Sequence, residues 1–323
     1  MSNDVENGPI VWVLLSTWNG AKYLPELLDS ILEQSYKNIR ILVRDDGSTD
    51  STPEVLDQYS EQFSDYFMVE RGDNVGVVCS FSTLIGKAIE LAGIDDLIMC
   101  ADQDDCWMPE KLRLTLEAYK SIGSAQLPVL IHSDLQVIDG NGEVLSDSFM
   151  DMQKLNPYAN RVENLLVQNT VTGCTAAFNV ALAKLAYPIP SAALMHDWWL
   201  ALLASHFGRI EYLAAPLVGY RQHSDNVVGA KRYGVQYVAG LLFAKLRGDD
   251  KRVSLTQLAA QAEALSKVSS GRGHVTVVQF LADLGNLTVY QRLRFMMFTR
   301  LRKHGMLRNL VLWIEVLTYR GAE

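Results

Sequence analysis

The sequence predicts an α/β protein: a mostly parallel sheet flanked by helices, a mixed second half, and an all-helical C-terminal extension. Three observations carry that prediction. Short apolar runs alternate with helical periodicity through residue 120, strand candidates crowd between turn signals after it, and beyond Gly229 only helical periodicity remains. Ile10–Leu15 reads as a buried strand, followed by a helix over Ala21–Gln34 that aligns Leu24, Leu27, Leu28 and Ile31 on one face. Ile39–Val43 and Ser51–Tyr59 repeat the pair, with the helix opening at an Asp50/Ser51 cap. Tyr66–Glu70, Val77–Leu91 and Asp96–Ala101 continue as strand, helix and strand, the spacing of parallel crossovers. Strands at Val129–His132, Gln136–Ile138 and Thr175–Phe178 follow, with Asp139-Gly140-Asn141-Gly142 as a turn. Ala192–His206 is a helix, and Ile210–Leu213 and Leu217–Tyr220 are strands. The expected organisation is one domain over 1–229, with halves at 10–120 and 121–229, then a basic helical region over 230–323.

With 323 residues, 49% of them hydrophobic, the chain can bury a large core. Its net charge of −8 conceals two halves: residues 1–229 hold 14 Lys+Arg against 31 Asp+Glu, and residues 230–323 hold 15 against 6. The acidic front half argues against nucleic acid as a partner, while the basic tail suits an anionic surface. Cys79, Cys100, Cys106 and Cys174 form no CxxC pair, a pattern of free thiols in a reducing cytoplasm. Neither a signal peptide nor a membrane-spanning helix is expected.

The apolar run Leu97–Ala101 leads straight into Asp102-Gln103-Asp104-Asp105, ahead of Cys106-Trp107-Met108-Pro109. Carboxylates this close repel unless a cation or hydrogen-bond donors offset their charge. On extended backbone Asp102 and Asp104 share a face, and hard oxygen ligands of this kind suit Mg²⁺ or Mn²⁺. The alternative is a solvated acidic turn. Two further strand ends are polar, Ser16-Thr17-Trp18-Asn19-Gly20 and Arg44-Asp45-Asp46-Gly47-Ser48-Thr49-Asp50, and Arg71 to Gly76 marks another. Open parallel sheets bind ligands outside the carboxyl ends of their strands, so these segments converge on one site.

Thr17-Trp18-Asn19, Asp45 to Asp50, Asn74-Val75-Gly76 and Asp102 to Leu112, in this order, resemble the family 2 inverting glycosyltransferases over residues 10–228. Val171-Thr172-Gly173-Cys174-Thr175, His196-Asp197-Trp198-Trp199 and Tyr220-Arg221-Gln222-His223 are similar to its rhamnosyltransferase-like branch. The resemblance implies a GT-A fold, a nucleotide-diphosphate sugar donor and a divalent metal, Mn²⁺ or Mg²⁺. It further implies dTDP-L-rhamnose as donor and a glycan or lipid-linked saccharide as acceptor, in bacterial surface-polysaccharide assembly. UDP-hexose or UDP-N-acetylhexosamine is the alternative donor, and a catalytically silent nucleotide-sugar module the alternative function. No Gln-x-x-Arg-Trp run occurs, which points to a non-processive enzyme.

Carried onto this chain, the resemblance implies a donor-binding set of Thr17, Asn19, Asp45, Asp46, Asn74, Gly76, Asp102, Thr172, Gly173 and Arg221. Asp45 or Asp46 can accept the imide N–H of uracil or thymine, unless the pair is a helix-capping turn. Asp104 would bind the metal, Asp102 the ribose or a metal-bound water, and Arg221 and His223 would clamp diphosphate or add a metal ligand. Asp105 is assigned no more than a cap on a helix starting at Pro109. Thr172 and Gly173 either lie under the donor sugar or form a tight turn. Asp197 is the candidate general base, with Trp198 and Trp199 shielding it from water; otherwise it caps a helix whose tryptophans are core.

Tyr290–Arg320 interleaves Arg292, Arg294, Arg300, Arg302, Lys303 and Arg308 with apolar residues in a cationic amphipathic pattern. The expectation is peripheral docking on the cytoplasmic face of the inner membrane, with packing or homodimerisation as the alternative.

Overall fold

A computed structural model describes residues 8–223, 253–269 and 276–319. The chain divides into two compact units: Met1–Phe149, Val171–Ile189 and Met195–Gly229 form the first, and Met150–Thr170, Pro190–Leu194 and Ala230–Glu323 the second.

Among the described residues the first unit holds one nine-stranded sheet. Strands β1 (Val11–Thr17), β2 (Ile39–Asp45), β3 (Phe67–Arg71) and β4 (Leu97–Asp102) lie in the order β3-β2-β1-β4, all parallel. Their crossovers are helices α1 (Leu24–Leu32), α2 (Thr52–Gln62) and α3 (Val77–Leu91). Leu24, Leu27, Leu28 and Ile31 of α1 are fully buried, as the predicted face requires, and each such side chain contributes about 1.5–3 kcal/mol. The helix begins later than its periodicity suggests because Tyr23 and Leu24 first turn back to the Gly20 carbonyl, and Pro25 then occupies the first turn. Strand registers level the carboxyl ends, with Thr17 opposite Asp45, Ser16 opposite Asp102 and Asp45 opposite Arg71. The polar segments of the sequence therefore leave the sheet at one edge.

The chain continues through β5 (Cys106–Trp107), α4 (Lys111–Ile122), β6 (Val129–Ile138), β7 (Val144–Ser146), α5 (Phe149–Gln153), α6 (Val162–Leu165), β8 (Ala177–Asn179), α7 (Val180–Ala186), α8 (His196–Phe207) and β9 (Arg209–Arg221). Here the sheet is mixed: β8 runs antiparallel to β4 and β6, β6 is parallel to β9, and β5 is antiparallel to β9. Two pairs of predicted strands are each one strand. In β6 and β9 the register slips around Ser133 to Gln136, where Pro216 lacks an N–H for the ladder, so the chain bulges without ending either strand. The strand predicted at Thr175 starts at Ala177, because Gly173–Thr175 winds into a 3₁₀ turn. Helix α4 starts at Lys111 rather than Pro109, and α8 at His196 rather than Ala192.

The second unit contains α6 and helices α9 (Leu255–Val268), α10 (Thr276–Ala282), α11 (Val289–Phe298) and α12 (Met306–Thr318). Reciprocal side-chain to backbone bonds between Ser254 and Gln257, and between Thr288 and Gln291, set the starts of α9 and α11. The cationic pattern predicted from Tyr290 breaks into α11 and α12, with Gly305 at φ 86° before the second. Arg292 is buried and donates to the carbonyls of Val316 and Tyr319, so it belongs to the packing between these helices.

At the amino edge of the sheet Asp96 accepts the N–H groups of Ile10 (2.8 Å) and Gly93 (2.8 Å) and the indole N–H of Trp12 (3.0 Å). Asp96→Ala is expected to cost about 3 kcal/mol by leaving these donors unpaired. The measurement is the urea midpoint at constant m-value, and an unmoved midpoint would refute the role.

Candidate active site

The loops leaving β1, β2 and β4 are sewn together. Thr17 Oγ1 (2.6 Å) and the Trp18 N–H (2.8 Å) donate to Gln103 Oε1, while Gln103 Nε2 returns a bond to the Trp18 carbonyl (3.1 Å). Asn19, at φ 51°, accepts the Thr49 N–H on its side-chain oxygen and donates its own N–H to Ser48 Oγ. Asp50 accepts from the Thr52 backbone and hydroxyl and from the Ala21 N–H, as expected for a cap at the start of α2.

Asp45 and Asp46 are both buried and differ in what they hold. Asp46 accepts from Arg44 and from the N–H groups of Val75 (3.1 Å) and Gly76 (2.9 Å), which fixes the loop after β3. Asn74 braces the same turn through the Gly76 N–H, and Gly76 sits at φ 80°, where a glycine is unstrained. Asp45 accepts from Ser48 on one oxygen only, and its other oxygen has no hydrogen-bond partner among the described residues.

Strand β4 ends at Asp102 and the chain turns there, so Asp102 and Asp104 do not share an extended backbone as predicted. Asp104 Oδ2 lies 2.8 Å from His223 Nε2. Asp105 points the other way: it is fully buried and accepts the Arg221 N–H (3.1 Å) on one oxygen. It is therefore an interior group rather than a helix cap. One ligand atom from each of Asp102, Asp105 and Cys174 lies within 4.8 Å of the others. Burial, then the charges of Asp104 and Asp197, push the Asp102 carboxyl up to about 7. Burial, then Asp102 and Asp104, push Asp105 well above the usual carboxylate range. Carboxylates that burial and mutual repulsion hold toward the neutral form fit a divalent cation; Asp105 also bonds the Cys174 side chain, and its Oδ2 has no hydrogen-bond partner among the described residues. Burial and then the charges of Asp105 and Asp102 raise the Cys174 thiol well above its usual range.

Beneath the cluster lies Lys111, to which the sequence analysis gave no role. Its ammonium is buried, donates to the Cys174 carbonyl (2.6 Å) and sits 3.3 Å from the Trp107 ring centroid. Burial pulls it down to about 7 against the opposing pull of Cys174, Asp105, Cys100 and Asp102. Gln103 and Arg44 were likewise given no role. Only the one-residue alternation of Arg44 with Asp46 offered a signal.

Arg221 is buried, donates through Nε to the Asp104 carbonyl (2.9 Å) and pairs with Glu26 (2.6 Å). Its guanidinium thus positions the Asp104 turn. His223 lies beyond the end of β9, beside the Tyr23 ring at 5.2 Å.

Asp197 opens α8, is 8% exposed, and accepts the N–H groups of Trp198 and Gly173. Burial raises it to about 7 against those bonds, and both tryptophans beside it are buried. Its neighbour His196 stacks on Phe81 at 3.9 Å, and burial lowers its imidazole to about 3. A side chain at Gly173 would come within 3.0 Å of His196 Nε2 and 3.7 Å of Asp197 Oδ2, so glycine is needed for this approach. Thr172 accepts from Thr175 through its carbonyl, which makes this segment a tight turn that also holds Asp197.

A family model, glycosyl transferase family 2, matches residues 12–184. The chain belongs to that family. An uncharacterized glycosyltransferase of Nostoc sp., alr2836, is 26% identical over 225 residues, covering 66% of this chain and 65% of its own. The putative glycosyltransferase EpsE of Bacillus subtilis is 29% identical over 146 residues, covering 45% and 47%. The chain spans less than two thirds of the length of these relatives. Among solved structures, Staphylococcus aureus TarS 1-349 in complex with UDP-GlcNAc aligns at TM-score 0.50 and 18% identity, over 81% of this chain and 73% of that one. GalNAc-T7 with UDP, GalNAc and Mn²⁺ aligns at 0.52 and 14%, over 83% and 57%. The fold of this family 2 member is GT-A-like α/β, followed by a helical C-terminal region.

If Arg221 positions the Asp104 turn, Arg221→Met should lower stability by about 3 kcal/mol, because it strands a buried carbonyl and removes a buried cation. A thermal unfolding midpoint that stays put while nucleotide affinity falls would identify a diphosphate contact instead.

Proposed function

We propose that the chain is a metal-dependent, inverting, non-processive glycosyltransferase that moves a sugar from a nucleotide diphosphate to an acceptor hydroxyl. The observation that carries the reading is Asp197: a carboxyl held out of water at a helix start, raised to about 7, within electrostatic reach of the Asp102 cluster. A carboxylate poised near neutrality is suited to accept a proton during catalysis. In this reaction Asp197 takes the acceptor O–H proton, the oxygen bonds to the anomeric carbon from the face opposite the diphosphate, and the bond from that carbon to the diphosphate oxygen breaks. The nucleoside diphosphate leaves with the electron pair, and the anomeric configuration inverts.

Asp45 is the better candidate for the pyrimidine imide, since Asp46 is committed to the loop after β3. Asp104, with His223 and Asp102, would hold the divalent ion, which when bound supplies Lewis-acid stabilisation of the departing diphosphate. Gly173 keeps the floor beside Asp197 and His196 open, and its N–H holds the Asp197 carboxyl. Thr17, Asn19, Asn74 and Gly76 shape the donor loops through the bonds described above. For the donor we propose dTDP-L-rhamnose, on the similarity of residues 171–175, 196–199 and 220–223 to the rhamnosyltransferase-like branch. The acceptor would be a glycan or lipid-linked saccharide of a bacterial surface polysaccharide.

Nucleotide release measured across several nucleotide sugars tests the donor: turnover with UDP-hexoses and none with dTDP-L-rhamnose sinks it. Asp197→Asn is expected to lower kcat by about 10²–10⁴-fold while nucleotide affinity by calorimetry stays within about threefold. A parallel loss of affinity would mark Asp197 as structural. Because Asp197 works as the carboxylate and burial raises it to about 7, kcat/KM should rise with pH through that value and fall about tenfold per unit below it. A profile flat from pH 5 to 8 would remove Asp197 from the proton transfer.

A further inference from the structure

Of the twenty large apolar side chains exposed among the described residues, nine fall between Val289 and Ile314, on α11 and α12. Their placement is inverted relative to a helix that simply caps a soluble core. On α12, Leu312 and Val316 are buried, while the outward arc carries Met306 (90% exposed), Leu310 (59%) and Ile314 (50%) at successive four-residue steps. Leu307 and Thr318 complete that arc, which holds no charge. On α11, Arg292 and Met296 face inward, and Val289, Leu293 and Met297 line up outward, with Phe298 81% exposed at the end.

Exposed cations accompany these faces, one on α11 and two in the segment that leads from it to α12. Arg294, Arg300 and Arg302 are exposed, and Glu315 is the single carboxylate in residues 289–319. Outward apolar arcs with exposed arginines on and beside them match helices lying in the plane of a lipid interface. None of the helices among the described residues is long and apolar enough to cross a membrane. We propose that α11 and α12 are a docking surface for an anionic phospholipid bilayer, with the apolar arcs entering the acyl boundary and the arginines meeting the headgroups. A second copy of the chain fits less well, since a two-fold contact would set one arginine border against another. The inference is independent of the transferase reading and stands or falls without it.

The test is co-sedimentation of the full chain with vesicles of equal parts phosphatidylglycerol and phosphatidylcholine, against vesicles of phosphatidylcholine alone. Binding to the anionic vesicles only is expected, weakening as salt rises. Leu310→Glu should reduce the partition constant at least about tenfold by placing a charge in the apolar arc. Arg300→Glu and Arg302→Glu should each reduce it about fivefold. Unchanged circular dichroism and nucleotide affinity in each variant keep a loss from being a folding defect. Absence of binding, equal binding to neutral vesicles, or indifference to Leu310→Glu overturns the proposal. Light scattering that shows a dimer abolished by Leu310→Glu, without vesicle binding, assigns the face to a second copy.

Discussion

Carboxylates held out of water at the carboxyl edge of a parallel sheet set the terms for the rest of this structure. Asp102, Asp105 and Asp197 each lose hydration, and burial outweighs every other influence on their protonation. Interiors tolerate such groups only with compensation, because an isolated buried charge costs several kcal/mol. The compensation comes in layers. Lys111 supplies a buried amine donor beneath the cluster, Arg221 ties the Asp104 turn to the end of β9, and backbone N–H groups of Gly173 and Trp198 meet Asp197. What remains uncompensated is the mutual repulsion of the cluster and one oxygen of Asp105, which has no hydrogen-bond partner among the described residues.

Parallel register makes that edge possible. Four strands ending level with one another deliver their loops to one place, and the loops are then welded by Gln103, Asn19, Asp46 and Asp50. Loops joined in this way hold their side chains in fixed positions, and small displacements of positioning groups are costly in any catalytic site. Similar division runs through the acidic pairs: Asp46 is spent on architecture and Asp45 keeps an oxygen available, while Asp105 faces inward and Asp104 faces His223.

Much of this was legible beforehand. Hydrophobic periodicity found α1 and α3 because their buried residues follow helical spacing, and it found β1, β2 and β4 because both faces of those strands are covered, while β3, at the sheet edge, buries only Phe67. The acidic cluster and Asp197 stood out as charges in apolar surroundings. Lys111 did not, since a lysine in Pro109-Glu110-Lys111-Leu112 reads as a solvated helix start until the pairing of β5 with β9 carries Trp107 inside. The doubled strands β6 and β9 were hidden because a bulge around Pro216 looks, in one dimension, like an ending.

The alternation of strands and helices, the family and the polar strand ends can all be read along the chain, because each is written in local patterns of side chains. Which way each carboxylate faces is fixed only by long-range packing. Asp102, Asp104 and Asp105 are neighbours with the same chemistry, and only the turn after β4, with Cys174, Arg221 and His223 brought from far along the chain, sends them in different directions. The same holds for the C-terminal helices. Their arginines look alike in the sequence, yet packing buries Arg292 and leaves Arg294, Arg300 and Arg302 outside, because burial depends on which helix face meets its neighbour.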